Sequence, residues 1–341
     1  MHPFLADPHP GGSVLRSRVI TTSLAACAAL ALAAPYSSAA SGSYSLIVQP
    51  DQGIAPIDSI INSAAKSIDL TMYELSDTTT EQDLAARAKA GVTVRVILDQ
   101  REKSTNQAAY TYLKDNGVGV VWSSTTYYYT HEKSMVIDGT EAVVMSGNMT
   151  SEYYSADRNY SVTDTDSADV SAMETVFSAD YAHKAVTPGD GDHLVWSPTD
   201  SQNQLVALIN GATKNLYVEN QELTDTAVVN ALAAAAKRGV AVELVMTNDE
   251  NQYSSEFDTL TSAGAKVSTY AENAPLYIHA KAIVADHGTS SEKVFVGSEN
   301  FTSTSLNENR ELGIILQNST IGDGVETVIA KDFTGGTAWT S

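Results

Sequence analysis

"LAARAKAGVTVRVIL" at residues 84–98 and "LAAAAKRGVAVELVM" at 232–246 are one segment written twice. A second pair agrees with it: "INSAAKSIDLTMYELSD" at 61–77 and "INGATKNLYVENQELTD" at 209–225 show the same displacement of 148 residues. One constant displacement over separate segments identifies a duplication, with halves at 41–190 and 191–341. The Gly/Asp/Pro-rich "TPGDGD" at 187–192 serves as the linker. In the first half, apolar residues at Ile57, Ile60, Ile61, Ala64 and Ala65 have helical spacing and lead into the strand "SIDLTMYEL". An alanine-rich helix then ends at Gly91, and the apolar strand "VTVRVIL" follows. Strands alternating with helices predict an α/β fold with a mostly parallel sheet covered on both faces. The loops at 99–107 and 247–255 would then lie at strand C-terminal ends, where open α/β sheets collect their ligands.

The chain has 341 residues, enough for two ordinary cores, and an apolar share of 43% that is globular in character. Its 20 basic and 41 acidic residues give a formal charge of −21, which repels nucleic acid and anionic lipid at long range. At the N-terminus, Arg16 and Arg18 precede the apolar run "VITTSLAACAALALAA" and the small-residue stretch "PYSSAASGSYS". That order describes a secretory signal peptide over residues 1–40, cut after Ala40, and predicts a secreted or periplasmic protein. The single cysteine, Cys27, lies within "LAAC", which resembles a lipoprotein box. Apolar residues continue past it, so ordinary secretion is favoured over lipid anchoring. The mature chain then has no cysteine for disulfides or thiol catalysis. No later segment is apolar enough to span a bilayer.

Histidine is scarce, with 7 in the chain, yet His131 and His279 stand at equivalent places in the two halves. His131-x-Lys133 and His279-x-Lys281 place an imidazole and an ammonium on one face of a strand. Asp138-Gly139 signals a turn, and a hairpin centred there sets His131 opposite Asn148 and Lys133 opposite Ser146. In the second half the turn is four residues longer, and His279 meets Asn300 while Lys281 meets Ser298. Each half therefore offers a set suited to a phosphate: Lys neutralises it, Asn and Ser bind its oxygens, and His attacks phosphorus or carries a proton. Two such patches facing one cleft, as pseudo-twofold symmetry permits, supply a nucleophile and a general acid. Asp138 and Asp286 sit at strand ends beside turns, where pairing with the local structure is the expected role.

These residues resemble the signature of the phospholipase D superfamily, H-x-K-x(4)-D followed by G-S-x-N, in two copies. His131-Lys133-Asp138 and His279-Lys281-Asp286 match it in full, and "GSENFTSTSLNENRELGI" in the second half matches G-S-x-N and a later N-x-E. The first half keeps Ser146 and Asn148 but has Met145 where the family usually has Gly. The resemblance covers the whole mature chain. It implies two α/β/α sandwich halves side by side with one active site at their interface, in a monomer. It further implies a phosphohistidine formed on His131, with His279 as acid/base, Lys133, Lys281, Asn148 and Asn300 on the phosphate, and no metal or other cofactor. An acidic residue downstream commonly fixes the motif histidine's tautomer in the family, as in other His-centred sites. Aligned on Arg158 and Arg310, Glu311 takes that role for His279, and its counterpart behind His131 is Asn159. Asp157 substitutes, or the histidine roles exchange, or activity falls.

The expected substrate is a glycerophospholipid at a membrane or micelle surface, hydrolysed or transphosphatidylated. A secreted metal-independent nuclease with the same site is the alternative, disfavoured by the charge, and a catalytically weak binding or toxin-like protein is a third reading. Tyr127, Tyr129 and Tyr277 sit at even spacing before the motif histidines and either line the cleft mouth or pack on the strand. "DTDSADVSAMETVF" at 164–177 fails the EF-hand spacing and reads as an N-capped helix. His183, His193 and His287 have no partner at useful spacing and are expected at the surface.

Overall fold

Each half folds its copy of the repeated segments into the same succession of elements. In the computed structural model, which describes residues 42–340 apart from Asp249, the first half runs β1 (Tyr44–Gln49), α1 (Ala55–Ser63), β2 (Ser67–Met72), α2 (Thr78–Lys89), β3 (Thr93–Leu98), α3 (Lys103–Asp115), β4 (Gly119–Trp122), β5 (Lys133–Ile137), β6 (Glu141–Met145), β7 (Asp157–Asp164) and α4 (Ser167–Tyr181). The second half begins with β8 (Leu194–Ser197), α5 (Ser201–Gly211), β9 (Asn215–Asn220), α6 (Thr226–Lys237), β10 (Ala241–Asn248), α7 (Ser254–Ser262) and β11 (Lys266–Ala271). It continues with β12 (Tyr277–Ile278), β13 (Lys281–Ala285), β14 (Lys293–Gly297), α8 (Ser303–Asn307), β15 (Glu311–Leu316), α9 (Ser319–Gly335) and β16 (Thr337–Ala338). The expected signal segment and Cys27 lie outside the described residues.

Local chemistry starts the helices where the sequence indicates. Asp77 caps α2 by accepting from Thr79 N, and its repeat mate Asp225 caps α6 by accepting from Val228 N. Asp166 caps α4 through Ala168 N and Asp169 N, so the acidic stretch at 164–177 is the N-capped helix that was expected. Each such cap satisfies backbone donors that the first helical turn leaves free, and contributes about 1 kcal/mol.

The first sheet has the order β1-β7-β6-β5-β2-β3-β4, and the second repeats it as β8-β15-β14-β13-β9-β10-β11, with β16 on its far edge. The sheets are mixed, which corrects the expectation of a mostly parallel arrangement. The helix-connected strands β2-β3-β4 and β9-β10-β11 run parallel, as does the short β12 against β7; the motif hairpins β5-β6 and β13-β14, with the strands beyond them, are antiparallel. Helices supply crossovers for the parallel strands, while the hairpins need only turns.

The hairpin register is one residue away from the predicted one in both halves. Ile137 stands opposite Glu141 and Ser134 opposite Val144; Ala285 stands opposite Lys293 and Ala282 opposite Val296. The first turn is a three-residue loop of Asp138, Gly139 and Thr140, with Asp138 and Asp286 both left-handed at φ 54° and 55°. Such a loop, with a left-handed residue in it, moves the centre by half a residue relative to a two-residue turn. The longer second turn absorbs its four extra residues without disturbing the ladder, as expected.

The inner faces of the two sheets share one apolar core. Val136, Val144 and Val162 of the first half pack in the same cluster as Ala282, Val284, Val296 and Leu312 of the second, flanked by α4 and α9. Two buried ion pairs cross this interface reciprocally. Arg158 at the start of β7 donates through Nε to Asp332 Oδ2 on α9 at 2.5 Å, and Arg310 beside β15 donates through Nε to Asp180 Oδ2 on α4 at 2.8 Å. The two arginines are repeat mates, and so are the two aspartates. Removing one member of a buried pair strands a charge, at a cost of about 3–5 kcal/mol. Arg158 also pairs with the exposed Asp51, so Asp332→Ala should lower unfolding stability by about 3 kcal/mol, the lower end of that range, in urea titration. Lys266→Ala, which breaks an exposed pair with Glu243, should cost less than about 1 kcal/mol in the same measurement.

Candidate active site

The site is built by an exchange of short strands between the halves. Thr130, just before the first motif histidine, bridges in parallel to Arg310 of the second half. Arg310 N donates to Tyr129 O at 2.8 Å, and Glu132 N donates to Arg310 O at 3.0 Å. By the same symmetry β12, just before the second motif histidine, leaves its own sheet and pairs with β7, setting Ile278 opposite Arg158. The residue after each arginine is thereby carried to the histidine of the other half.

His131 Nδ1 lies 2.8 Å from Glu311 Oε2. The other oxygen of Glu311 is held by the Ser305 hydroxyl at 2.6 Å and Asn309 Nδ2 at 2.9 Å. His279 Nδ1 lies 2.9 Å from Asn159 Oδ1, which also accepts from the Ser146 hydroxyl at 2.8 Å. Alignment within each half had assigned Glu311 to His279 and Asn159 to His131, and the structure reverses both. The reversal has a physical cause: the strand exchange makes each orienting side chain act on the opposite half. Both partners are acceptors, so both histidines carry their proton on Nδ1 and leave Nε2 with its lone pair. Gly147 is required here, because a Cβ on it would sit 2.9 Å from Asn159 Cγ.

The two motif lysines lie beneath the histidines with no exposed surface. Lys133 Nζ donates to His131 O at 2.6 Å and lies 4.9 Å from the Tyr73 ring centroid. Lys281 Nζ donates to His279 O and, at 3.0 Å, to Gln221 Oε1. Tyr73 also meets His131 edge-on at 4.6 Å between centroids. Tyr73 and Gln221 were not among the expected site residues, although they are mates in the repeated segments that define the duplication.

Asn148 and Asn300 line the cavity beside the histidines. Asn148 Nδ2 donates to Glu74 Oε2 at 3.0 Å, and the Oδ1 atoms of both asparagines have no partner among the described residues. Ser146 and Ser298, expected to bind phosphate, are instead fully buried and serve the framework. Ser146 Oγ accepts from Tyr160 N at 3.0 Å while donating to Asn159, and Ser298 Oγ accepts from Leu312 N at 3.2 Å. The shifted register leaves them beyond the ladder's end and not across from the lysines. Asp138 and Asp286 stay away from the cavity, at the far ends of β5 and β13. Asp138 accepts from Ala65, Lys66 and Ser67 N, and Asp286 from Thr213 and Lys214 N, which ties each hairpin to the entry of β2 or β9.

Burial, followed by Lys281, Lys133 and His131 as neighbouring positive groups, holds His279 well below the ordinary imidazole range. Burial likewise lowers His131, to about 4, although Glu311 opposes the shift. Burial and Lys281 push Lys133 well down, and burial takes Lys281 to about 8. Burial alone would raise Glu311, but His131, Lys133 and the Ser305 hydroxyl outweigh it and keep it ionised. The two lysines and two imidazoles are thus crowded together at the base of the cavity, and an anion placed beside them would offset the mutual repulsion.

The cavity measures about 530 Å³ and is lined by both histidines together with Glu74, Asp157, Glu222, Glu272, Tyr153 and Tyr277, among others. Of the three tyrosines expected near the mouth, Tyr277 lies there. Tyr127 instead places its ring 4.2 Å from the Arg310 guanidinium, and Tyr129 stacks edge-on with Tyr73. The stretch before His131 is irregular, with β5 starting only at Lys133, so the even spacing did not translate into a shared face. The other histidines are not partnerless: His193 Nδ1 meets Asp169 at 2.8 Å, His287 Nε2 meets Asp323 at 2.8 Å, and His183 Nε2 meets Trp122 O at 2.8 Å. Those partners come from distant sequence, which spacing does not reveal.

A family model described as "Cardiolipin synthase, PLD-like domain" matches residues 57–181 and 205–333, once in each half. The cardiolipin synthase of Halalkalibacterium halodurans is 25% identical over 309 residues, an alignment covering 77% of this chain and 60% of that protein. The chain thus spans about 60% of the length of that relative. Among solved structures, phosphatidylserine synthase from Haemophilus influenzae superposes with a TM-score of 0.65 at 12% identity, covering 85% of this chain and 86% of that one. Polyphosphate kinase from Porphyromonas gingivalis gives 0.67 at 15% identity, covering 85% of this chain and 50% of that one. At those identities the two structures establish the shared fold and no more. Two matched segments with both motif copies in place make the chain a member of the cardiolipin synthase-type, phospholipase D-like family.

Proposed function

We propose that the protein is a phospholipase D-type phosphodiesterase that cleaves glycerophospholipids and passes the phosphatidyl group to water or to an alcohol. The observation that carries this reading is the pair of histidines from duplicated halves lining one cavity, with Glu311 bonded to His131. His131, neutral and protonated on Nδ1, attacks phosphorus through Nε2, and Glu311 stabilises the cationic imidazole that forms. The P–O bond to the leaving alcohol breaks, and its oxygen takes a proton from His279. In the second step His279 removes the proton from water or the acceptor alcohol, whose oxygen displaces His131 from phosphorus. Lys133 and Lys281 neutralise the phosphoryl oxygens, with Asn148 and Asn300 as hydrogen-bond partners. Burial, and after it the lysines, hold His279 neutral in the free site, so the phosphodiester anion, by offsetting the lysine charges, raises its affinity for the proton it must donate.

The substrate side of the proposal rests on charge. Four carboxylates, Glu74, Asp157, Glu222 and Glu272, line the cavity around the histidines. A lipid with one phosphodiester places its charge on the buried lysines, whereas a polynucleotide would draw further phosphates past those acids. No helix among the described residues is long and apolar enough to cross a membrane, so the proposal has the chain meeting lipid at an interface.

Headgroup release from phosphatidylcholine and phosphatidylglycerol vesicles, run beside plasmid cleavage in EDTA, tests the reading. Phospholipid turnover is expected; plasmid cleavage alone, lost in His131→Ala, would overturn it. His131→Ala and His279→Ala should each reduce turnover by at least about 10²–10⁴-fold, the range for a lost nucleophile or general acid. Rapid quench into detergent at neutral to mildly alkaline pH, where the acid-labile P–N bond survives, should trap a phosphorylated chain labelled on His131, and label on His279 would reverse the assigned roles. Asn159→Asp places a carboxylate on His279 and raises its proton affinity by about 1–3 pH units. The protonated acid then persists to higher pH, so the alkaline limb of the kcat profile should move upward in Asn159→Asp. An unmoved limb would show that His279 is not the group titrating there.

A further inference from the structure

Outside the active site, the extra residues of the β13–β14 turn bring together a set of metal-ligating groups that the first half does not possess. His287 and Glu292 stand at the two ends of that turn, and Asp323 lies on α9. One ligand atom from each falls within 4.8 Å of the others. His287 Nε2 is 2.8 Å from Asp323 Oδ1. Glu292 is 3% exposed; its Oε2 accepts from Gly288 N at 2.7 Å, and its Oε1 is buried without a partner. A buried carboxylate oxygen left unpaired is costly unless something cationic meets it.

The helix is shaped to admit that carboxylate. Gly322 lies within α9, where glycine costs about 1 kcal/mol relative to alanine. A Cβ on Gly322 would come within 2.0 Å of Glu292 Oε1. Aligning α9 on α4 through the mates Asp332 and Asp180 puts the buried core residue Val170 at the position of Gly322 and Ser171 at that of Asp323. Gly139 and Thr140 occupy the positions of His287 and Glu292. The second half thus has glycine where the first has a core valine, and an imidazole and two carboxylates around the space that the glycine leaves. A salt bridge between His287 and Asp323 alone explains neither the glycine nor the buried unpaired oxygen.

We propose that His287, Glu292 and Asp323 form a binding site for a divalent transition-metal ion of the zinc class. One imidazole and two carboxylates, with water completing the shell, match the ligand types and number of open zinc sites, which need bonds of about 2.0–2.2 Å. The ion takes the place of the proton between His287 Nε2 and Asp323 Oδ1, and that proton is released to solvent. Glu326 Oε1, 3.9 Å from His287 Nδ1, stands on the side where a second carboxylate orients a metal-bound imidazole. The bound ion ties the turn to α9, the helix that carries Asp332 to Arg158.

Calorimetric titration of the metal-free full chain with zinc chloride, in two buffers of different ionisation enthalpy, tests the proposal. One zinc per chain with proton release is expected, along with a rise in the thermal midpoint. Glu292→Gln and Asp323→Asn should each weaken zinc binding by more than about tenfold, as loss of one of three ligands requires. The double variant His131→Ala/His279→Ala should bind zinc as the unaltered chain does, which separates this site from the catalytic histidines. Absence of binding at about 100 µM zinc, or equal affinity in Glu292→Gln and the unaltered chain, overturns the proposal, as does loss of the stoichiometric zinc in the double variant.

Discussion

The exchange of strands around Arg158 and Arg310 is the constraint on which the rest of the molecule depends. Each arginine sits where a strand of one half receives a short segment of the other, and its guanidinium is anchored on an aspartate across the interface. A guanidinium buried at 2% exposure or less cannot lose its charge, so its carboxylate partner has to be in place for the halves to close. That requirement fixes the relative position of the sheets, and through it the residue following each arginine. The catalytic geometry is therefore a by-product of how the interface balances its buried charge.

Symmetry provides two equivalent histidines, and a single substitution makes them unequal. Position 311 holds an ionised glutamate, and its mate 159 an amide. Both accept a hydrogen bond from Nδ1, so ring orientation and tautomer agree on the two sides. Only Glu311 stabilises an imidazolium by charge, and it faces His131. The asymmetry that seemed to weaken His131 in the linear sequence instead favours it, in the proposed mechanism, as the residue that becomes cationic on bonding to phosphorus. His279, beside an amide and two lysines, suits a residue that gives a proton up and takes it back.

Much of this was legible in the sequence because a duplication tests itself. The displacement of 148 residues, widening to 152 beyond the longer second turn, located the repeated segments, and the doubled histidine-lysine spacing located the site. What failed were statements about contacts between the halves. Glu311 and Asn159 were attached to the wrong histidines because a linear alignment cannot represent a segment that crosses to the other sheet. The serines were misplaced because a three-residue loop shifts a hairpin by one residue, and in a strand one residue changes the face. Tyr73 and Gln221 went unremarked because they differ chemically, although their positions repeat. Pairings such as His193 with Asp169 join segments whose proximity only the closed fold creates.

The strand exchange also has a consequence in time. His131 and Lys133 are made early in synthesis, but the glutamate that orients His131 is residue 311, and Asp332, which neutralises Arg158, lies nine residues from the end of the chain. A nascent chain bearing the complete first half has a histidine with no carboxylate behind it and an arginine held by the exposed Asp51 alone. In the proposed function, reactivity toward phosphodiesters is then withheld until the second half packs against the first, a delay written into the order of the residues.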